Sequence, residues 1–234
     1  NRIATDVICD LLLTTSPDAV ENLLLEGIHP SRIHQVGNVM IDSLLYAVER
    51  CSGHFRGTTG VEAPEDYAIV TLHRPSNVDN PERLHTLLDL LDISAQELEL
   101  VWPVHPRARA RLQEYGMWDR LENNSRIHLL DPLGYLAFTD LMMSCRIAIT
   151  DSGGLQEETT VLGIPCLTIR ENTERPITIE KGTNILITSE KLSDLPRIMV
   201  DKSESGPYQH NLSIEGWDGK AASRVVQALI DQLD

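Results

Sequence analysis

The sequence predicts an α/β protein, a parallel β-sheet with helices on both faces. Two observations carry this reading. Short β-branched runs alternate with longer helical stretches along most of the 234 residues, the βα rhythm of crossover connections. The short runs are continuously apolar rather than alternating, as in strands covered on both sides.

In chain order, residues 11–15 read as a strand. Ser16 and Pro17 mark the start of a helix over 18–25, which Gly27 closes. A second short strand follows at 33–36 and a helix at 39–49. Residues 51–64, CSGHFRGTTGVEAP, are rich in Gly, Thr and Ser and read as a linker. A regular series comes next, with strands at 67–72, 98–102, 126–129, 146–150, 165–169 and 184–187. Helices at 81–91, 106–115, 133–143, 154–162 and 191–200 alternate with them, and a helix over 219–233 closes the chain.

Composition narrows the function. The chain carries 20 Lys and Arg against 35 Asp and Glu, a formal net charge of −15. Such a chain repels nucleic acids and acidic membranes, so neither is an expected partner. The scarce cations become informative, because an acidic protein that binds an anion must cluster them locally. Cys9, Cys51, Cys145 and Cys166 form no CxxC pair and read as buried or incidental thiols. His29, His34, His54, His85, His128 and His210 have no ligand-like spacing, so no metal site is expected. No apolar stretch approaches the ~20 residues of a membrane span, and there is no signal-peptide pattern, so the expectation is a soluble cytoplasmic protein. The opening on Asn1 rather than Met reads as a processed or truncated chain, or as a full protein after tag cleavage.

In a parallel sheet, ligands sit beyond the C-terminal strand ends, and those positions are unusually polar here. Residues 146–158, RIAITDSGGLQEE, place Ser152, Gly153 and Gly154 between a strand and a helix. Two glycines let a ligand approach the backbone, and the helix N-terminus favours an anion such as a pyrophosphate. Glu158, one turn on, could reach ribose hydroxyls. The plain alternative is a strand-to-helix turn capped by Ser152. The motif is neither GxGxxG nor a P-loop.

IRENTERP, 169–176, offers Arg175 as a phosphate clamp, or else a solvated loop of local ion pairs. TLHRPSN, 71–77, puts His73 and Arg74 at a strand end, where His73 can donate to phosphate, transfer a proton, or simply cap the next helix. His105 in WPVHP, held between two prolines, invites a similar functional reading or a structural one. In LLDPLGYLAF, 129–138, backbone groups could read a flat base, while Phe138 also suits an ordinary core.

These segments occur in a fixed order: HRPSNVD, PVHP, DPLGY, DSGGLQEE, RENTERP, GTN and WDGKAA. They are preceded by NRIATD, SPDAVENLLLEGI and VGNVMIDSLL. The ordered set resembles the non-hydrolysing UDP-N-acetylglucosamine 2-epimerases over nearly the whole chain. The resemblance implies the C-terminal portion of a GT-B fold, in which two Rossmann-like domains face a cleft. It implies interconversion of UDP-N-acetylglucosamine and UDP-N-acetylmannosamine by UDP elimination and re-addition, without metal or nicotinamide. It implies that Ser152, Gly153 and Gly154 hold the phosphates, that Glu158 binds the ribose, and that Leu133 and Phe138 border the uracil. Arg175 and His73 would lie near the phosphates, with His73 also assisting UDP departure. Arg74 and His105 would touch a second, activating UDP-N-acetylglucosamine found in some bacterial members. The sequence departs from the family pattern at Ile177 and at Pro75–Ser76.

The resemblance also sets an expected organisation. Residues 1–50 would be the tail of an N-terminal domain with a connecting helix, and 51–64 a linker. Residues 65–216 would form the UDP-binding domain, and 217–234 a helix packing back on the N-terminal domain. The family's acid and base carboxylates belong to that N-terminal domain, so this chain alone is expected to be inactive. Two other readings remain, a GT-B glycosyltransferase half and a non-catalytic UDP-sugar-binding domain that assembles as a homodimer.

Overall fold

The computed structural model describes residues 1–204 and 214–233. Residues 205–213 of the expected 65–216 domain, His210 included, lie outside the described residues, as does Asp234. The elements run α1 (Arg2–Ile8), β1 (Leu12–Thr14), α2 (Pro17–Leu25), β2 (Ile33–Gln35), α3 (Val39–Val48) and α4 (His54–Thr59). Then come β3 (Tyr67–Thr71), α5 (Pro75–Val78), α6 (Pro81–Glu97), β4 (Glu99–Pro103), α7 (Pro106–Glu114) and α8 (Trp118–Glu122). They continue with β5 (Ile127–Leu130), α9 (Tyr135–Ser144), β6 (Ile147–Thr150), α10 (Gly153–Leu162), β7 (Cys166–Ile169) and α11 (Pro176–Glu180). The last are β8 (Asn184–Ile187), α12 (Leu195–Ser203) and α13 (Ala221–Leu233).

The chain divides into two compact units, Asn1–Tyr46 with Asn211–Asp234, and Ala47–His210. In the first, β1 and β2 pair in parallel, Leu12 opposite Ile33. Leu12, Leu23 and Ile28 form a small core beneath α2. Gly37 and Gly216 both have positive φ, and a β-carbon on Gly37 would collide with the Gly216 carbonyl. Only glycine satisfies both the conformation and the close approach. The Asp42 carboxylate accepts from the Ala221 and Ala222 amides at 3.1 and 2.7 Å, anchoring the start of α13.

The second unit is a six-stranded parallel sheet in the order β5-β4-β3-β6-β7-β8. The chain starts at a central strand, β3, steps outward to β5, then returns to the other side of β3. This reversal between β3 and β6 is the topological switch point of a doubly wound sheet. One face carries Val70, Leu72, Trp102, Ile149, Leu167 and Ile187, all 0% exposed, in a single core with α6 and α12. Leu84, Leu87, Leu88 and Leu91 supply the α6 stripe at helical spacing, and truncating any of them to Ala should cost about 2–5 kcal/mol.

Residues alternating with that core face the other side, and toward the strand ends they are polar. Thr71 and Thr150 share a 2.6 Å hydrogen bond, and Thr168 donates to Asn184 Oδ1 at 2.6 Å. Burying this row is tolerable because each group has a partner.

The stretch read as a linker contains α4. Cys51 and Phe55 are buried, and the Phe55 amide donates to Asp140 Oδ2 at 2.9 Å. One aromatic anchor orders what Gly and Thr content alone reads as coil. Helix α6 runs on to Glu97, past the predicted 91, because Ser94 and Ala95 are small enough to stay buried. The helix expected over 191–200 is a 3-10 turn at Ser189–Asp194 followed by α12. Burial pushes the Cys145 and Cys166 thiols up to about 12 and about 11, which keeps them protonated and inert. No helix among the described residues is long and apolar enough to cross a membrane.

Candidate functional site

The polar strand ends converge on the switch point. His73 and Arg74 follow β3, and Asp151 to Gly154 follow the adjacent β6. Three candidates share a local device: Arg74, His105 and Arg175 each precede a proline at the first position of a helix. The pyrrolidine ring disfavours helical backbone in the residue before it. That residue is therefore held out of the helix and fixed at the strand end.

Asp151 organises the β3 side. It is fully buried, and its carboxylate accepts from the His73 amide at 3.0 Å, the Arg74 amide at 2.9 Å and Asn77 Nδ2 at 3.1 Å. His73 Nδ1 lies 2.8 Å from Asp151 Oδ1. Burial pushes this carboxyl upward, but the His73 side chain, the Arg74 amide and Asn77 outweigh it and hold Asp151 below the usual range. Arg74 Nε donates to the Asp151 carbonyl at 2.9 Å. His105 stands beside His73, ring centroids 5.3 Å apart, and its Nδ1 accepts from the Arg107 amide at 3.1 Å. His105 thus does cap its helix, whereas the helix after His73 has Arg74 at its N-cap position with no side-chain cap hydrogen bond.

The α10 start differs from the plain turn. Ser152 is the N-cap residue but makes no side-chain cap hydrogen bond. Neither Gly153 nor Gly154 has positive φ. Their lack of a side chain is therefore not a conformational demand, and a β-carbon on Gly153 would meet nothing within 4 Å. The Ser152 amide donates to Thr150 Oγ1 at 2.9 Å, and the turn then presents Gly153 to open space at the positive end of a helix of ten residues, the arrangement that favours an anion.

The next turn of α10 ties the neighbouring loops together. Gln156 is fully buried, with its Nε2 donating to the Ser152 carbonyl and its Oε1 accepting from Thr173 and Asn184 at 2.6 and 3.1 Å. The Arg175 amide donates to Thr173 Oγ1 at 3.0 Å, and Arg175 Nε lies 2.8 Å from buried Glu157 Oε1. Glu158 is 7% exposed and accepts from the Tyr135 hydroxyl at 2.9 Å. Burial pushes the Glu158 carboxyl upward, and neighbouring Glu157 adds to this against the Tyr135 hydrogen bond.

The Tyr135 bond brings the segment containing Leu133 and Phe138 beside Glu158. Both are partly buried, and Phe138 stays outside the buried core. Ile177, where the family pattern has Glu, is buried in α11, and Pro75 opens α5, which aims Asn77 at Asp151. Sequence reasoning did not single out Asp151, Asn77, Tyr135, Gln156 and Glu157 as site residues. All five lie inside the motifs that supplied the candidates: Asn77 beside His73, Tyr135 between Leu133 and Phe138, and Asp151, Gln156 and Glu157 around Ser152 and Glu158.

A family profile described as UDP-N-acetylglucosamine 2-epimerase matches residues 1–230. The chain belongs to the UDP-N-acetylglucosamine 2-epimerase family. The enzyme of that name from Methanocaldococcus jannaschii is 37% identical over 98% of this chain and 63% of its own length. The Pseudomonas aeruginosa UDP-2,3-diacetamido-2,3-dideoxy-D-glucuronate 2-epimerase is 32% identical over 98% of this chain and 62% of its own. The crystal structure of the M. jannaschii UDP-GlcNAc 2-epimerase in complex with UDP-GlcNAc and UDP is similar with a TM-score of 0.87, covering 99% of this chain and 64% of that one. The chain therefore spans a little under two thirds of these relatives. Its fold is the Rossmann-like parallel sheet, helices on both faces, of the GT-B class to which the epimerases belong.

Proposed function

We propose that the Ala47–His210 unit holds the UDP part of a UDP-2-acetamido sugar. In this reading the chain is the C-terminal, nucleotide-binding portion of a 2-epimerase that interconverts UDP-N-acetylglucosamine and UDP-N-acetylmannosamine. One observation carries it: a helix start with no side-chain cap and glycines the backbone does not require, at the switch point of the sheet. The diphosphate rests on the Gly153 and Gly154 amides and the Ser152 hydroxyl, the Ser152 amide being held by Thr150 Oγ1 at 2.9 Å. Arg175 and His73 supply positive charge at its rim. Glu158 accepts from the ribose hydroxyls, and Leu133 and Phe138 flank the uracil.

The reaction breaks the bond between the anomeric carbon and the diphosphate oxygen, so negative charge develops on departing UDP. A preorganised helix terminus and an adjacent imidazolium stabilise that charge most where water is scarce. His73 is the catalytic residue this chain supplies. Arg74 and His105 are assigned to a second UDP-sugar by family resemblance, and both are already engaged, Arg74 with Asp151 and His105 as a cap.

The carboxylates that remove and return the sugar proton belong, by resemblance, to an N-terminal domain. Because the match covers about 63% of the M. jannaschii relative, we expect these 234 residues to bind UDP and not to turn over alone. Calorimetry with UDP and a coupled assay on UDP-N-acetylmannosamine test this. Absence of UDP binding refutes the site, and efficient turnover by the 234-residue chain refutes the division of labour. The Pseudomonas relative motivates a second reading with the same nucleotide and a different sugar. Competition between UDP-N-acetylglucosamine and the diacetamido uronate for bound UDP separates the two.

A further inference from the structure

The two histidines at the switch point are held by opposite hydrogen bonds. His73 Nδ1 lies 2.8 Å from Asp151 Oδ1. An ionised carboxylate only accepts, so the hydrogen sits on His73 Nδ1. His105 Nδ1 accepts from the Arg107 amide at 3.1 Å. That nitrogen must keep its lone pair, which places the His105 hydrogen on Nε2. The rings stand 5.3 Å apart, tilted by 38°.

We infer that Asp151 is a positioning residue that locks His73 in its Nδ1–H form, and that His73 and His105 are set in opposite tautomers. The pair then has divided duties. His105 offers a fixed, uncharged Nε2–H donor. His73 leaves Nε2 for the ligand and can carry a positive charge against the Asp151 carboxylate. Two neighbouring imidazoles thereby avoid a shared positive charge. Resting on the reading that a diphosphate binds here, the step is a proton transfer. The Nε2 proton of cationic His73 passes to a phosphate oxygen of departing UDP, and the neutral ring left behind already has its hydrogen on Nδ1. No rotation or second proton movement is needed.

Long-range proton–nitrogen spectra of the wild-type imidazoles at mildly alkaline pH, without ligand, decide the tautomers. His73→Gln and His105→Gln assign the signals. The resonance lost in His73→Gln is expected to show Nδ1 protonated, and the one lost in His105→Gln to show Nε2 protonated. A matching tautomer on both rings, or an Nε2–H pattern on His73, overturns the inference. In Asp151→Asn the His73 pattern should shift toward Nε2–H, with UDP affinity down about tenfold or more. An unchanged pattern in the folded variant removes the role of Asp151, and the wild-type spectrum alone decides if that variant does not fold. If wild-type tautomers are as inferred but UDP does not bind, the nucleotide reading fails and this inference stands.

Discussion

Replacing Gly153 by alanine should separate binding from folding. The backbone there does not need glycine, and the new methyl group meets open space. Alanine is the better helix former by up to about 1 kcal/mol, so the thermal midpoint should hold or rise. The methyl would occupy the space assigned to the diphosphate, and calorimetry should find UDP binding weakened by about tenfold or more. Equal affinity would move the anion elsewhere. Glu158 behaves differently. Its carboxyl is raised by burial, so its contribution to stability is greatest below the unfolded glutamate value of 4.5 and is lost as pH rises through its higher folded value. Glu158→Gln should therefore melt higher than wild type at neutral pH, with the gain vanishing in acid, while losing affinity for the ribonucleotide. Melting curves across pH and UDP titrations read the two effects separately.

At the scale of elements, Gly37 is the opposite of Gly153. Alanine there would need a left-handed backbone and would strike the Gly216 carbonyl, so Gly37→Ala should destabilise the Asn1–Tyr46 unit by more than about 1 kcal/mol. Chemical denaturation monitored through Trp217, whose indole donates to the Thr15 carbonyl at 2.9 Å, reads it. The elements also show what a sequence reveals. The buried strands were legible from their apolar runs, and the strand-end motifs from their polarity. The short helices α5 and α11 were not, although Arg74–Pro75 and Arg175–Pro176 mark their starts. A single turn leaves too few residues for periodicity to register. The pairings of Asp151 with His73 and of Tyr135 with Glu158 were illegible for another reason. They join residues 78 and 23 positions apart and exist only once the sheet has formed.

Across the whole molecule, acid should act through Asp151. Its carboxyl is held below the ordinary aspartate value of 3.8. The stability it lends is complete above that value and is lost as pH falls through its lower folded value. The acid limb of the stability curve should be shallower in folded Asp151→Asn than in wild type, and identical limbs would deny Asp151 that role. Glu174, lowered to about 2 by Arg170, points the same way, but its side chain is 58% exposed and its share is small.

One short stretch reaches nearly every loop of the site. Asp151 holds the β3 loop, Gln156 holds Thr173 and Asn184, Glu157 meets Arg175, and Glu158 meets Tyr135. Asp151 immediately precedes α10, and Gln156, Glu157 and Glu158 leave the helix in different directions fixed by its pitch, like bitting on a key. Adding a single residue between Ser152 and Gln156 would turn the later three by about 100° relative to Asp151, releasing several loops together. Insertions elsewhere on the surface disturb one loop at a time, so this segment should be the place where the chain tolerates changes in length least.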